Sequence, residues 1–138
     1  MEKHKDCPFC HIIVERGRVV EEFKYCYSLI SDPWRVPGHI LVIPKRHVTK
    51  LSELKPAELK ELMEKVILYQ EKLFKYAPGT MIRQNYMPFI KDDVLKVSHL
   101  HMHVVPRTLN DKLKKADDDC GFLYPTPKQL DEWAKKLK

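Results

Sequence analysis

The sequence predicts an α+β domain: an antiparallel sheet with one long helix on one face and a second helix at the C-terminal end. Three observations carry that expectation. Short strand-like runs come first, then one long helical pattern, then strands again. Residues 55–77 repeat apolar side chains at helical spacing, and the run His99-Leu100-His101-Met102-His103-Val104-Val105 alternates with the period of two of a half-buried strand. A length of 138 residues suits one domain with a sizeable core, so residues 1–138 are taken as a single unit with 108–138 as a C-terminal extension.

In order along the chain, residues 10–16 suit a short helix ended by Gly17. Residues 18–23 and 24–31 suit two strands. In the second, Tyr25, Tyr27 and Leu29 occupy one face and Cys26, Ser28 and Ile30 the other. The proline-rich stretch 32–38 cannot continue a ladder, and His39 to Ile43 then reads as a strongly apolar strand. Pro56 fits the first position of the long helix, with Glu58 in its first turn. Leu59, Leu62, Met63, Val66, Leu73 and Phe74 form its expected apolar stripe, with Lys60–Glu64 and Glu61–Lys65 as surface pairs. Pro78-Gly79 stops the helix. Residues 80–86 form a fourth strand, 87–98 an irregular connection, 99–105 the histidine strand, and 127–137 the last helix.

Composition excludes some classes. No apolar run approaches the roughly 18 residues that span a bilayer, and the N-terminal residues lack the apolar centre of a signal peptide, so no membrane partner and a cytoplasmic location are expected. The net charge of +6 favours anionic ligands in general. Basic and aromatic residues are not interleaved as a stacking platform for RNA requires, which argues against a nucleic-acid partner. Four cysteines in a reducing setting argue against disulfides. Cys26 reads as a small packed hydrophobe. Asp117-Asp118-Asp119 lacks the spacing and glycine of a calcium loop, and Cys120 has no role legible in the sequence.

The chemistry concentrates in the alternating run. Leu100, Met102 and Val104 would enter the core, leaving His99, His101 and His103 on the other face, about 6.6 Å apart in sequence. A satisfied structural residue is the plain reading of any one histidine. Three of the chain's seven on one strand face argue for a site. That spacing serves one shared polyanion or metal, or two adjacent sites. Zinc or iron suits His-x-His, yet no acid stands within five residues on either side to complete such a centre. A neutral imidazole is a competent nucleophile near pH 7, and a neighbouring imidazolium would stabilise phosphate oxygens.

The run resembles the histidine triad family of nucleotide-binding hydrolases and transferases. Cys7-Pro8-Phe9-Cys10 is similar to its zinc-carrying branch, and Pro37-Gly38-His39 through Lys45 to its second signature. The resemblance covers most of the chain and implies a small α+β unit paired as a homodimer. It implies His101 as the nucleophile and His103 as the contact to the α-phosphate and leaving group. In the zinc branch the first histidine joins the cysteines on the metal. That implies a closed, structural zinc set of Cys7, Cys10, His47 and His99. His4 and His11 are alternative ligands nearer in sequence, and a redox role for the cysteine pair lacks the preceding strand it needs.

Departures narrow less than they widen. Where the family carries a ribose-binding acid or amide this chain has Ser31, with Asp32 adjacent. Val94-Leu95-Lys96-Val97 replaces the glycine-rich pre-triad loop, putting Lys96 where a phosphate-holding hydroxyl usually stands. Lys96 would hold a longer polyphosphate by charge, or simply face solvent. The resemblance implies Asn85, at the end of the fourth strand, as the counterpart of the family's polar residue facing the nucleotide. The expected function is a nucleotide hydrolase or nucleotidyltransferase attacking the α-phosphate of a nucleoside polyphosphate, dinucleoside polyphosphate or phosphoramidate through a nucleotidyl-histidine. The alternative is a zinc-stabilised nucleotide-sensing or partner-binding module with little catalysis.

Overall fold

Two strands buried on both faces form the centre of the fold. A computed structural model describes residues 7–15, 19–92, 96–111 and 122–138. The sequence expectations for His4, Gly17, Val94-Leu95, Asp117 to Asp119 and Cys120 lie outside the described residues. The strands are β1 (Val19–Glu22), β2 (Cys26–Ile30), β3 (Ile40–Pro44), β4 (Gly79–Arg83) and β5 (Met102–Arg107), in sheet order β1-β2-β3-β5-β4 with antiparallel neighbours throughout. Every residue of β2 and β3 is buried, which explains why β3 reads as a continuous apolar run rather than an alternating one.

The two faces have different partners. Cys26, Ile30, Ile40, Val42, Leu100, Met102 and Val104 join the core beneath α2 (Pro56–Leu73). Tyr27, Leu29, Leu41 and Ile43 pack on the opposite side against Cys7, Phe9 and Cys10, at the start of α1 (Pro8–Glu15). The expected division of β2 into a Cys26 face and a Tyr27 face therefore holds.

The long helix is shorter than the pattern suggested, ending at Leu73, and its buried stripe is Leu62, Val66, Tyr69 and Leu73. Each such burial stabilises by about 2 kcal/mol relative to exposure. Leu59, Met63 and Phe74, expected in that stripe, lie on the exposed side. Tyr69 takes the missing place because its hydroxyl meets Ser28 at 2.6 Å and donates to Glu21 at 2.9 Å, which satisfies a polar group inside the core. Lys60–Glu64 forms as expected. Glu61 does not pair with Lys65; it accepts the Tyr25 N–H at 2.6 Å, while Lys65 lies 4.3 Å over the Phe23 ring.

At the helix start Glu58 accepts the Lys55 N–H and takes two bonds from the Arg46 guanidinium, at 2.7 and 3.0 Å. Arg46 also holds its carboxyl below the usual range. This pair ties residues 45–48 to α2, immediately beside His47. The C-terminal helix α3 (Pro127–Leu137) is capped by Thr126 and Gln129 and buries Leu137 in the core of α2. Its Trp133 lies against Gly38, whose φ is +93°. A Cβ there would stand 3.0 Å from the Trp133 ring, so both backbone conformation and space require glycine.

The histidine strand starts later than its alternation implied. Ladder pairing to β3 begins at Met102, opposite Val42. Before it, the Leu100 N–H bonds to the Val48 carbonyl at 2.7 Å, so His99 to His101 follow the 45–48 segment rather than the sheet. At the other end β5 runs through Pro106, which pairs with β4 alone because β3 stops opposite Val104. Among the described residues no helix is long and apolar enough to cross a membrane.

Candidate functional site

The late start of β5 divides the three histidines. His99 is fully buried and turned toward the cysteines, whereas His101 and His103 are half-buried and line a cleft of about 330 Å³. The sequence left open one shared site or two adjacent ones. The structure has two.

In the first, the ligand atoms of Cys7, Cys10, His47 and His99 all lie within 4.8 Å of one another. Cys7 Sγ is 3.3 Å and Cys10 Sγ 3.5 Å from His99 Nδ1, and Cys10 Sγ is 3.2 Å from His47 Nδ1. A zinc tetrahedron with ordinary bond lengths needs sulfur and nitrogen about 3.5 Å apart. Protonation agrees as well. His99 Nε2 lies 2.7 Å from the Pro44 carbonyl, which can only accept, so Nε2 carries the proton and Nδ1 offers its lone pair to the cluster. The donor set fits a zinc ion. His11 is exposed and does not belong to the cluster.

The second site follows the same logic. His101 Nδ1 is 2.7 Å from the His99 carbonyl, so Nδ1 carries the proton and Nε2 keeps the lone pair. Phe9 packs edge-on to this ring at 5.1 Å. A further histidine completes the arrangement. His39 Nδ1 accepts the Arg35 N–H at 3.2 Å, so its Nε2–H points along the 2.9 Å contact to His103 Nδ1. His103 must then carry its own proton on Nε2. A backbone donor thus sets the tautomer of His39, and His39 sets that of His103.

Electrostatics keep these rings neutral. Burial, then Arg35, His101 and Arg83, hold His39 down to about 3. Burial together with His101, His39, Arg83 and Arg35 holds His103 well below the ordinary value. Burial also lowers His101, against the His99 backbone bond that raises it. The ring expected to offer an imidazolium beside His101 is thus held below the ordinary value, and Arg35 and Arg83 supply fixed positive charge next to it.

The other expected site residues all line the cleft: Ser31, Asn85 and Lys96, together with Asp32. Ser31 donates to the Pro33 carbonyl at 2.7 Å and keeps its lone pairs. Asn85 lies two residues past the end of β4 on the cleft face. Lys96 neither reaches into open solvent nor stands free. Its ammonium bonds to the Ile90 carbonyl, Asp92 and Ser98, bracing its own loop. Sequence reasoning missed His39, Phe9, Arg35 and Arg83. His39 had a signal, since it stands in Pro37-Gly38-His39, and Phe9 stands between the two cysteines. The arginines had none.

The His39 arrangement makes a measurable statement. In a ¹⁵N histidine titration at pH 5, His39 is expected to stay neutral with its proton on Nε2, while an ordinary imidazole is almost fully charged. Because the unfolded chain takes up this proton first, near 6.5, stability should fall as pH drops from about 6.5 toward 3. Protonation of His39 above pH 6 would contradict the arrangement.

Comparisons with known proteins agree with the geometry. Galactose-1-phosphate uridylyltransferase of Thermotoga maritima is 31% identical over 99% of this chain and 46% of its own length. The asymmetrical bis(5'-nucleosyl)-tetraphosphatase of Schizosaccharomyces pombe is 38% identical over 66% of this chain and 54% of its own. The chain thus spans about half the length of these curated relatives. Among solved structures, a HIT-like protein of Bartonella henselae superposes with a TM-score of 0.79 at 23% identity, covering 99% of this chain and 97% of the other. A zinc-bound histidine triad family protein of Mycobacterium smegmatis gives 0.70 at 22% identity, covering 96% and 93%. The family model of the HIT domain matches residues 14–110, well over half of the sequence, and the chain belongs to the histidine triad family.

Proposed function

We propose that the protein is a nucleotide hydrolase or nucleotidyltransferase working through a covalent nucleotidyl-histidine at His101. The observation that carries this reading is the 2.7 Å contact of His101 Nδ1 with the His99 carbonyl, which assigns the tautomer of His101. Its Nδ1–H is held by the His99 carbonyl, so an uncharged Nε2 lone pair is available on a ring lining the cleft. In the first step Nε2 bonds to the α-phosphorus while the bond to the leaving group breaks, its electron pair departing with that group. His103 Nε2–H is a hydrogen-bond donor for the α-phosphate or the leaving atom. In the second step water attacks phosphorus and gives up a proton to solvent, the P–N bond breaks, and its electron pair returns to His101 Nε2. Ser31 and Asn85 contact the nucleoside. Lys96 lines the same cleft with its ammonium engaged by Ile90, Asp92 and Ser98, and braces the loop there. Names among the relatives include a nucleotide hydrolase and a uridylyltransferase, which fits this reading.

Zinc at Cys7, Cys10, His47 and His99 would be structural, because four protein ligands leave no open position. Those residues would pin Phe9 and the start of α1 against the triad. A reducing, cytoplasmic setting suits Cys7 and Cys10 as thiolate ligands and Cys26 as a packed hydrophobe. We further propose a homodimer. Among the described residues no strand pairs with the outer edge of β4, and Leu59, Met63 and Ile67 form an exposed apolar stripe on α2. The Gln70–Thr80 bond, 2.9 Å, joins helix and strand at that side.

Four measurements test these points. Rapid quench with a labelled nucleotide should place acid-labile label on His101; label on His99 or His103 would overturn the mechanism. His101→Ala should lose about 10³-fold or more in turnover and keep nucleotide binding, and His103→Ala should slow both steps. Metal analysis of chelator-free protein should find one zinc per chain, lost in the Cys7→Ser, Cys10→Ser variant. Its Tm should fall by roughly 10 °C, as about 3 kcal/mol gives in a chain of this size. Zinc retained at full stoichiometry would place the metal elsewhere. Light scattering at micromolar concentration should give about twice the 16.4 kDa of one chain, and a monomer would refute the dimer.

A further inference from the structure

We propose that Arg83, backed by Arg35, is a specificity residue that takes a phosphate-bearing leaving group beside His103, directing the site to nucleoside and dinucleoside polyphosphates over phosphoramidates. The inference rests on the nucleotidyl-histidine reading of the same cleft and adds the class of group displaced.

Placement comes first. Arg83 stands opposite His103 in the β4–β5 ladder, and directly opposed residues share a sheet face. Met81, Arg83 and Asn85 alternate along that face, and all three line the cleft. The guanidinium therefore belongs to the His103 side, where the bond to the leaving group lies if His101 attacks opposite to it. Arg35 reaches the same region from the loop before β3, and both charges bear on His39 and His103. Among the described residues the Arg83 guanidinium has no hydrogen-bond or ion-pair partner; Asp32 is the acid lining the cleft. Lys96, by contrast, is neutralised by Asp92.

The chemistry of departure points the same way. A polyphosphate leaves as an anion, needs no proton, and gains negative charge that a guanidinium binds bidentately. An amine leaving group must acquire a proton as the P–N bond breaks, and it departs neutral or cationic. The neutral His103, its Nδ1 already accepting from His39, is a hydrogen-bond donor and a poor source of that proton. Two fixed cations beside it would repel a departing ammonium. An exposed arginine on an edge strand also discourages edge pairing, but that role has no dependence on substrate.

An incoming phosphate acceptor would meet the same subsite in the second step, so the experiment separates the two sources. Wild type, Arg83→Gln and Arg83→Lys are compared on diadenosine tetraphosphate and on an adenosine 5'-phosphoramidate, each with and without inorganic phosphate. The ratio of kcat/KM for the polyphosphate over the phosphoramidate should fall about tenfold or more in Arg83→Gln, with Arg83→Lys between. An equal ratio in all three proteins overturns the proposal, as does a ratio that changes only when inorganic phosphate is present, which would make Arg83 an acceptor site. A second readout needs no turnover. In the His101→Ala background, affinity for diadenosine tetraphosphate relative to AMP should fall about tenfold on Arg83→Gln, and an unchanged ratio overturns the proposal. If binding discriminates while His101 never takes up label, the nucleotidyl-histidine reading fails and the subsite stands.

Discussion

His99 is the residue on which the rest of the site depends. Its ring is bound at both nitrogens: Nε2–H to the Pro44 carbonyl at the end of β3, and Nδ1 toward the Cys7 and Cys10 sulfurs. Its carbonyl holds the Nδ1–H of His101. One residue therefore links the four-ligand cluster to the ring whose lone pair faces the cleft. Displacing His99 would alter the tautomer of His101 as well as the cluster, because a ring that loses its acceptor at Nδ1 no longer prefers to keep its proton there. Phe9, carried between the two cysteines and packed edge-on to both His99 and His101, adds a second mechanical link.

A second constraint is the removal of charge from the cleft floor. His39, His101 and His103 stand close enough that any two imidazolium ions would repel, and burial already penalises each of them. The site answers by keeping all three neutral with defined tautomers. Positive charge is supplied by guanidinium groups at the rim, where solvent reduces its cost and where deprotonation does not occur. Arg35 does both tasks at once. Its backbone N–H sets His39, and its side chain, stacked 4.7 Å from the Phe122 ring, adds charge.

Local periodicity was a sound guide where a residue has one environment, and a poor one where tertiary partners intervene. Leu100, Met102 and Val104 enter the core as alternation requires, because the rule depends only on strand geometry. The same rule placed His99 with His101 and His103, yet the backbone leaves the ladder before Met102 to follow residues 45–48. That pairing joins Leu100 to Val48, about fifty positions apart in sequence, and is invisible locally. The α2 stripe fails for a similar reason. Leu59 and Met63 have helical spacing, but the sheet lies under Leu62, Val66 and Tyr69, and Tyr69 is tolerable there only because Ser28 and Glu21 meet its hydroxyl. The four-residue cluster was legible through family resemblance, since nothing in the spacing of Cys7, Cys10, His47 and His99 brings them together unaided. Arg83 was illegible in either way: on an edge strand, charge is the ordinary choice, and its meaning appears only opposite His103.

The sheet itself explains how one short segment serves two sites. β3 and β5 are buried on the α2 side by a continuous apolar layer, so that face is committed to stability and admits no polar chemistry. On the other side the cover is partial. The first turn of α1 closes over Tyr27, Leu29 and Ile43, while the stretch toward β4 stays open as the cleft. His99 lies under the closed part and His103 under the open part, with His101 between them at the edge of Phe9. Four enclosed donor atoms and an accessible imidazole can therefore share one short segment only where the cover ends. That boundary is set by Cys7, Phe9 and Cys10, which makes the N-terminal turn part of the cleft wall as much as of the four-residue cluster.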